Sequence, residues 1–134
     1  MNADLLTGLA PIMGVRPRVL LLGSMPGAAS LLEQRYYAHP RNLFWPFMQQ
    51  LFGVPVELGY QQRCQLLTEQ GIALWDVIAH CERPGSLDSA IRHAQLNDFP
   101  ALLRRCTHLS AIAHNGGESF RHAKAVEKSL AQAG

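Results

Sequence analysis

The sequence predicts an α/β fold carried on a mostly parallel sheet, and three observations point there. Arg18 to Leu22 (RVLLL) is an apolar run ended by Gly23, and Ile72 to Ile78 (IALWDVI) is a second. Short runs of this kind, without polar alternation, read as strands buried on both faces. Each is followed by turn-rich residues and then by apolar residues at helical spacing, the alternation that builds parallel sheets. The 134 residues suit one domain, residues 1–134. A chain of this size buries roughly two-thirds of its unfolded surface.

Along the chain, Met1 to Gly14 reads as a helical or irregular lead-in around Leu5, Leu6 and Leu9. GSMPG (Gly23 to Gly27) is a loop of turn residues, after which Ser30 is placed to open a helix through Leu31 and Leu32. Asn42 to Phe52 carries Phe44, Met48, Leu51 and Phe52 at helical spacing, with Pro46 tolerable near the first turn. Tyr60 to Gln70 is a further helix stopped by Gly71. Asn97 is a candidate cap for a helix through Leu102, Leu103 and Cys106. His108 to Ala113 gives a third, less apolar strand followed by HNGG (His114 to Gly117). From Glu118 onward, Phe120, Ala123, Val126 and Leu130 can line one face of a helix.

Composition narrows the function classes. Apolar residues at 48% and charged residues at 16% fit neither a disordered tail nor a charged coiled coil. No apolar run approaches the roughly 18 residues of a transmembrane helix, and no basic-then-apolar leader opens the chain, so neither a membrane nor a secretory role is expected. Cys64, Cys81 and Cys106 are scattered without a CxxC, as suits free thiols in a reducing cytoplasm rather than zinc or redox chemistry. The six histidines show no HxxxH or HExxH spacing, so no metal site is expected. Ten of the twelve basic residues are arginine, whose fork suits phosphates and base edges, although a GC-rich genome would give the same bias.

Ligands of an open parallel sheet bind beyond the carboxyl ends of its strands. Three segments follow such ends: Gly23 to Asn42, Ala79 to Ser89, and His114 to Gly117. GSMPG allows close backbone approach to a ligand, yet it is neither GxGxxG nor a Walker loop, and an ordinary strand-to-helix turn would look the same. Asn115 can present a donor and an acceptor in one plane to a nucleobase, or simply cap the next helix. Asn42 is likewise a ligand contact or a cap, and Phe44 and Trp45 are a ligand platform or core. The residues alone describe a polar-aromatic pocket of unspecified chemistry.

Together, GSMPGAASLLEQRYYAHPRNLFW (Gly23 to Trp45) resembles the first motif region of the uracil-DNA glycosylase superfamily, in particular its hypoxanthine-DNA (deoxyinosine) glycosylase branch. LWDVI, GSLDSAI (Gly85 to Ile91), NDF (Asn97 to Phe99) and the NG of HNGG follow in order. The resemblance implies a three-layer α/β/α sandwich around a four-stranded parallel sheet. It also implies a monofunctional enzyme of base excision repair that needs no metal or organic cofactor. Its partner would be DNA containing a deaminated base, hypoxanthine or uracil, and it would act as a cytoplasmic monomer. Such an enzyme flips the base out and hydrolyses its N-glycosidic bond.

By that resemblance Asn42 is the catalytic asparagine, orienting water or the base, and Asn115 reads the base. Gly23, Ser24 and Met25 line the base pocket. Phe44 stacks the base, with Trp45 and Tyr37 as alternatives; His39 and His114 are counted as further contacts. Many relatives carry an acid or asparagine where Ser24 and Met25 stand, which moves the chemistry to Asn42. The resemblance also leads one to expect a fourth strand and a Ser/Pro-rich minor-groove loop. The chain reaches Gly134 before either, so three strands, a C-terminal truncation and weakened flipping are expected. A catalytically silent nucleic-acid-binding remnant of the same fold is the alternative.

Overall fold

The structure, a computed structural model, describes residues 5–85 and 87–131. Among the described residues six strands and six α-helices follow one another: β1 (Leu5–Thr7), β2 (Val19–Gly23), α1 (Ala28–Glu33), α2 (Phe44–Phe52), α3 (Tyr60–Glu69), β3 (Ile72–Asp76), β4 (Ile78–Glu82), β5 (Arg92–Leu96), α4 (Phe99–Arg105), β6 (Ala111–His114), α5 (Gly117–Arg121) and α6 (Ala123–Ala131). A 3-10 turn over Asp88–Ala90 precedes β5. Strands β3, β2 and β6 form a parallel sheet in that order, and β1, β4 and β5 form a second, antiparallel sheet. The α/β architecture expected from the sequence is present, with three strands in the parallel sheet among the described residues.

Burial explains the parallel sheet. Every residue of β3 is buried, and Leu20 and Leu22 of β2 are inaccessible. Around them pack Leu67 of α3, Phe99 and Leu102 of α4 and Val126 of α6. Each fully buried aliphatic or aromatic side chain contributes about 1.5–3 kcal/mol relative to exposure. Trp75 sits edge-on against Phe99, ring centres 5.3 Å apart, and donates from Nε1 to Leu9 O. Gly71 links α3 to β3 at φ +82°, and its carbonyl accepts from both Arg18 N and Val19 N. A side chain there would be strained and would meet Arg18 Nε at 3.1 Å.

Register then sets the site. Gly23 lies beside Asp76, and Leu22 beside Trp75 on one flank and His114 on the other. The carboxyl ends of β2, β3 and β6 therefore come to one edge. There the chain follows Gly23 and Ser24 a little further, with Val77 N donating to Gly23 O and Ile78 N to Ser24 O, before entering the second sheet.

Several local expectations are corrected. The IALWDVI run is two strands in different sheets, broken at Val77. The lead-in contains β1, and Met1 to Asp4 lie outside the described residues, as do Ser86 of GSLDSAI and the last three residues. Ser30 lies inside α1, with Gly27 at the N-cap; its Oγ accepts from Ala38 N and ties the following loop to the helix. Asp98, not Asn97, caps α4 by accepting from Ala101 N. The third parallel strand is Ala111–His114, because Thr107 and His108 turn. The last helical stretch divides at His122, which leaves Phe120 67% exposed rather than beside Val126.

Candidate active site

The GSMPG loop begins where β2 meets β3, and its first glycine is required by space. A Cβ on Gly23 would lie 2.5 Å from Asp76 Oδ1 and 3.0 Å from Tyr37 Oη. Ser24 Oγ donates to Asp88 Oδ1 at 3.0 Å, joining the loop to the 3-10 turn. From outside, the buried Arg83 donates to Pro26 O (2.7 Å) and Gly85 O (3.1 Å) and holds the loop's back. No turn chemistry in the sequence signals that clamp.

A cavity of about 390 Å³ opens on this loop, within the usual size range for small-ligand sites. Gly23, Ser24, Met25, Tyr37, His39, Asn42 and Asn115, all expected site residues, line it, joined by Asp76 and Asp88. Phe44, Trp45 and His114 are expected site residues that do not border it. Phe44 is buried behind Tyr37, whose ring stacks on it at 3.8 Å between centres and 17° between planes. Trp45 meets Phe44 edge-on and borders a neighbouring cavity of about 350 Å³, with Arg63 4.6 Å above its ring. Of the three aromatic residues expected to contact the base, Tyr37 alone borders this cavity, beside Tyr36, with Phe44 supporting it from behind.

Tyr37 reaches that position through a left-handed backbone, φ 56°, unusual for a bulky residue and strained. Its hydroxyl is buried without a well-formed hydrogen bond. Burial raises its pKa, while the neighbouring Asn115 side chain pulls it back.

Asn42 keeps both characters expected of it. Its Oδ1 accepts from Phe44 N at 2.8 Å, which caps α2 one residue before the formal N-cap, Leu43. The same side chain lines the cavity, and its Nδ2 makes no hydrogen bond among the described residues. Asn115 is fixed from behind, its N–H donating to Leu22 O at 2.7 Å. His114 turns away: its Nδ1 lies 2.8 Å from Ser119 Oγ, and its ring is edge-on to Phe120. The Ser119 hydroxyl hydrogen goes to Leu22 O, so the imidazole donates to Ser119. Burial pushes the His114 pKa down, in keeping with a neutral ring.

Sequence reasoning missed Asp76. It is 4% exposed, its Oδ2 is buried without a partner, and burial, with Asp88 next, pushes its pKa up to about 7. A signal existed: an acid inside an otherwise apolar strand, at the end where ligands bind. Among the described residues no group of three or more His, Cys, Asp or Glu is placed to hold a metal, and no helix is long and apolar enough to cross a membrane.

Residues 11–132 match the sequence model of the uracil DNA glycosylase superfamily. The chain belongs to this superfamily. It is 33% identical over 113 residues to a hypoxanthine DNA glycosylase of Methanosarcina barkeri, covering 84% of this chain and 72% of that one. A hypoxanthine DNA glycosylase of Methanosarcina acetivorans is 33% identical over 110 residues, 81% of this chain and 70% of the relative. The solution NMR structure of a candidate uracil DNA glycosylase from M. acetivorans superposes with a TM-score of 0.82 at 29% identity, covering 92% of this chain and 78% of that one. The superfamily match takes in β2, β3 and β6, and so every residue that lines the cavity.

Proposed function

We propose that this superfamily member is a monofunctional DNA glycosylase that releases a deaminated base, hypoxanthine or uracil, from DNA by hydrolysing the N-glycosidic bond. The observation that carries the reading is one cavity joining Tyr37, Asn42 and Asn115 at the strand ends. The bond is shielded in the stack, so the base must be extruded at a cost of a few kcal/mol, least for a mispaired base. The Tyr37 face returns about 1–3 kcal/mol by stacking.

Hypoxanthine and uracil both present a carbonyl acceptor beside a ring N–H donor, and adenine presents the reverse. One asparagine amide, donating to that carbonyl and accepting from that N–H, matches the deaminated bases, and the presence of Asn115 in the cavity lining supports giving it that role. Asn42 Nδ2 is a fixed dipole for the attacking water or for the charge that develops on the base. The protein acts as a monomer in the cytoplasm, where its three buried free thiols stay reduced.

The test uses duplex oligonucleotides bearing one hypoxanthine or one uracil, followed by alkaline cleavage at abasic sites. Strand scission at the hypoxanthine is expected. DNA binding with no scission at either base would refute the enzyme reading and leave a silent binding remnant.

A further inference from the structure

Asp76 ends β3 beside Gly23, and its carboxyl lines the same cavity as Tyr37, Asn42 and Asn115. It is 4% exposed, Oδ2 is buried without a hydrogen-bond partner, and among the described residues no cation is paired with it. The titratable groups facing it are Asp88 from the 3-10 turn and Tyr36 and Tyr37 from the loop after α1, with His39 on the cavity wall. Neither Asp88 nor the two tyrosines brings a positive charge to balance a carboxylate there. Asp88 opposes it by charge, and Ser24 Oγ holds Asp88 in place. A lone carboxylate in such surroundings is unfavourable, whereas a neutral carboxylic acid is tolerated and can donate a hydrogen bond. Burial first and Asp88 second push its pKa up to about 7, the range in which a general acid works best at neutral pH.

We infer that Asp76 keeps its proton in the cavity and delivers it to a ring nitrogen of the departing base. This rests on the glycosylase reading above. As the bond between the sugar C1′ and the base nitrogen breaks, its electron pair stays with the base. The Asp76 proton moves to a ring nitrogen, so the base leaves neutral and Asp76 becomes a carboxylate. Water bonds to C1′ through its oxygen, and the proton it sheds restores Asp76. Asn42 and Asn115 cannot supply this step, because an amide does not give up a proton near neutral pH. A deaminated purine, a poorer leaving group than a protonated one, gains most from such a donor.

The experiment measures single-turnover release of hypoxanthine from duplex DNA between about pH 5.5 and 9, for the wild-type chain and Asp76→Asn. Alongside it, the Asp76 carboxyl carbon of the wild type is titrated by NMR. The wild-type rate is expected to fall about tenfold per pH unit above about 7. Asp76→Asn is expected to be slower by ~10² or more at pH 6 and to lose that fall. The NMR midpoint is expected near 7. Equal rates for the two proteins at every pH overturn the inference, as does a midpoint near 4. A wild-type rate that rises through pH 7 also overturns it, since Asp76 would then be a base for water. Absence of any base release by the wild type sinks the glycosylase reading itself, and the NMR midpoint still judges whether Asp76 holds a proton.

Discussion

Replacing Asp76 with asparagine should stabilise the protein, and increasingly so as pH rises. Burial and Asp88 raise the carboxyl from 3.8 to about 7 in the folded chain. Each pH unit of that difference is worth about 1.4 kcal/mol, so keeping Asp76 ionised and folded costs about 4 kcal/mol. The sign follows from proton counting. Between pH 4 and pH 7 the folded chain holds a proton that the unfolded chain has lost, so stability falls across that window and levels off above it. An asparagine side chain at this position has the same shape and no proton to lose. The difference in unfolding free energy between Asp76→Asn and wild type should therefore grow by about 3 kcal/mol from pH 5 to pH 8, most of the whole. Urea unfolding of both proteins at four pH values measures it, and subtraction cancels groups common to the two. A difference that stays flat with pH would refute the reasoning. So would one that shrinks as pH rises, because that marks a carboxylate with a favourable partner.

Other substitutions separate the roles in the cavity. Tyr37→Leu removes the ring wall and should raise KM for hypoxanthine-containing DNA about tenfold. Phe44→Ala should instead cost about 3–5 kcal/mol in denaturant unfolding, as the loss of a buried ring. Asn42→Asp keeps the Oδ1 that caps α2 and removes the free amide, so base release should drop ~10²-fold while the urea midpoint barely moves. Gly23→Ala places a methyl 2.5 Å from Asp76 Oδ1, and a melting-temperature loss matching about 1–3 kcal/mol is expected together with weaker base release.

The parallel sheet was legible because strands buried on both faces leave unbroken apolar runs, and RVLLL is one. The antiparallel sheet was hidden by the same logic. β5 (RHAQL) is almost wholly exposed and has no apolar face to read, β1 is only three residues, and β4 continues the apolar run of β3 without a sequence break. Gly23, Asn42 and Asn115 could be placed together because loops at strand ends converge in any such sheet. Which aromatic faces the cavity could not be read. It turns on the positive φ of Tyr37, a conformation set by tertiary packing rather than by any preference of tyrosine. Asp76 reads in the sequence as part of a strand, although an acid costs too much in a core to stand there without a reason.

That reason lies in where the two sheets part. At Val77 the chain leaves the parallel sheet, so Asp76 is the last residue of β3 held in register with β2. Its carbonyl accepts from Asn97 Nδ2 at 2.7 Å, and Asn97 N donates to Val77 O at 2.9 Å. The departure from the sheet therefore leaves neither carbonyl unsatisfied, and the start of α4 is pinned to the same point. Relaxation of the backbone cannot carry the carboxyl out to water without breaking these bonds, each worth about 1 kcal/mol and more if a buried partner is orphaned. Two residues that the sequence offers as a motif letter and as a candidate helix cap, the D of LWDVI and the N of NDF, thus act as one device. Asn97 holds the strand end, and the strand end holds an acid against the cavity wall, where its discomfort as a charge makes it useful as a proton donor.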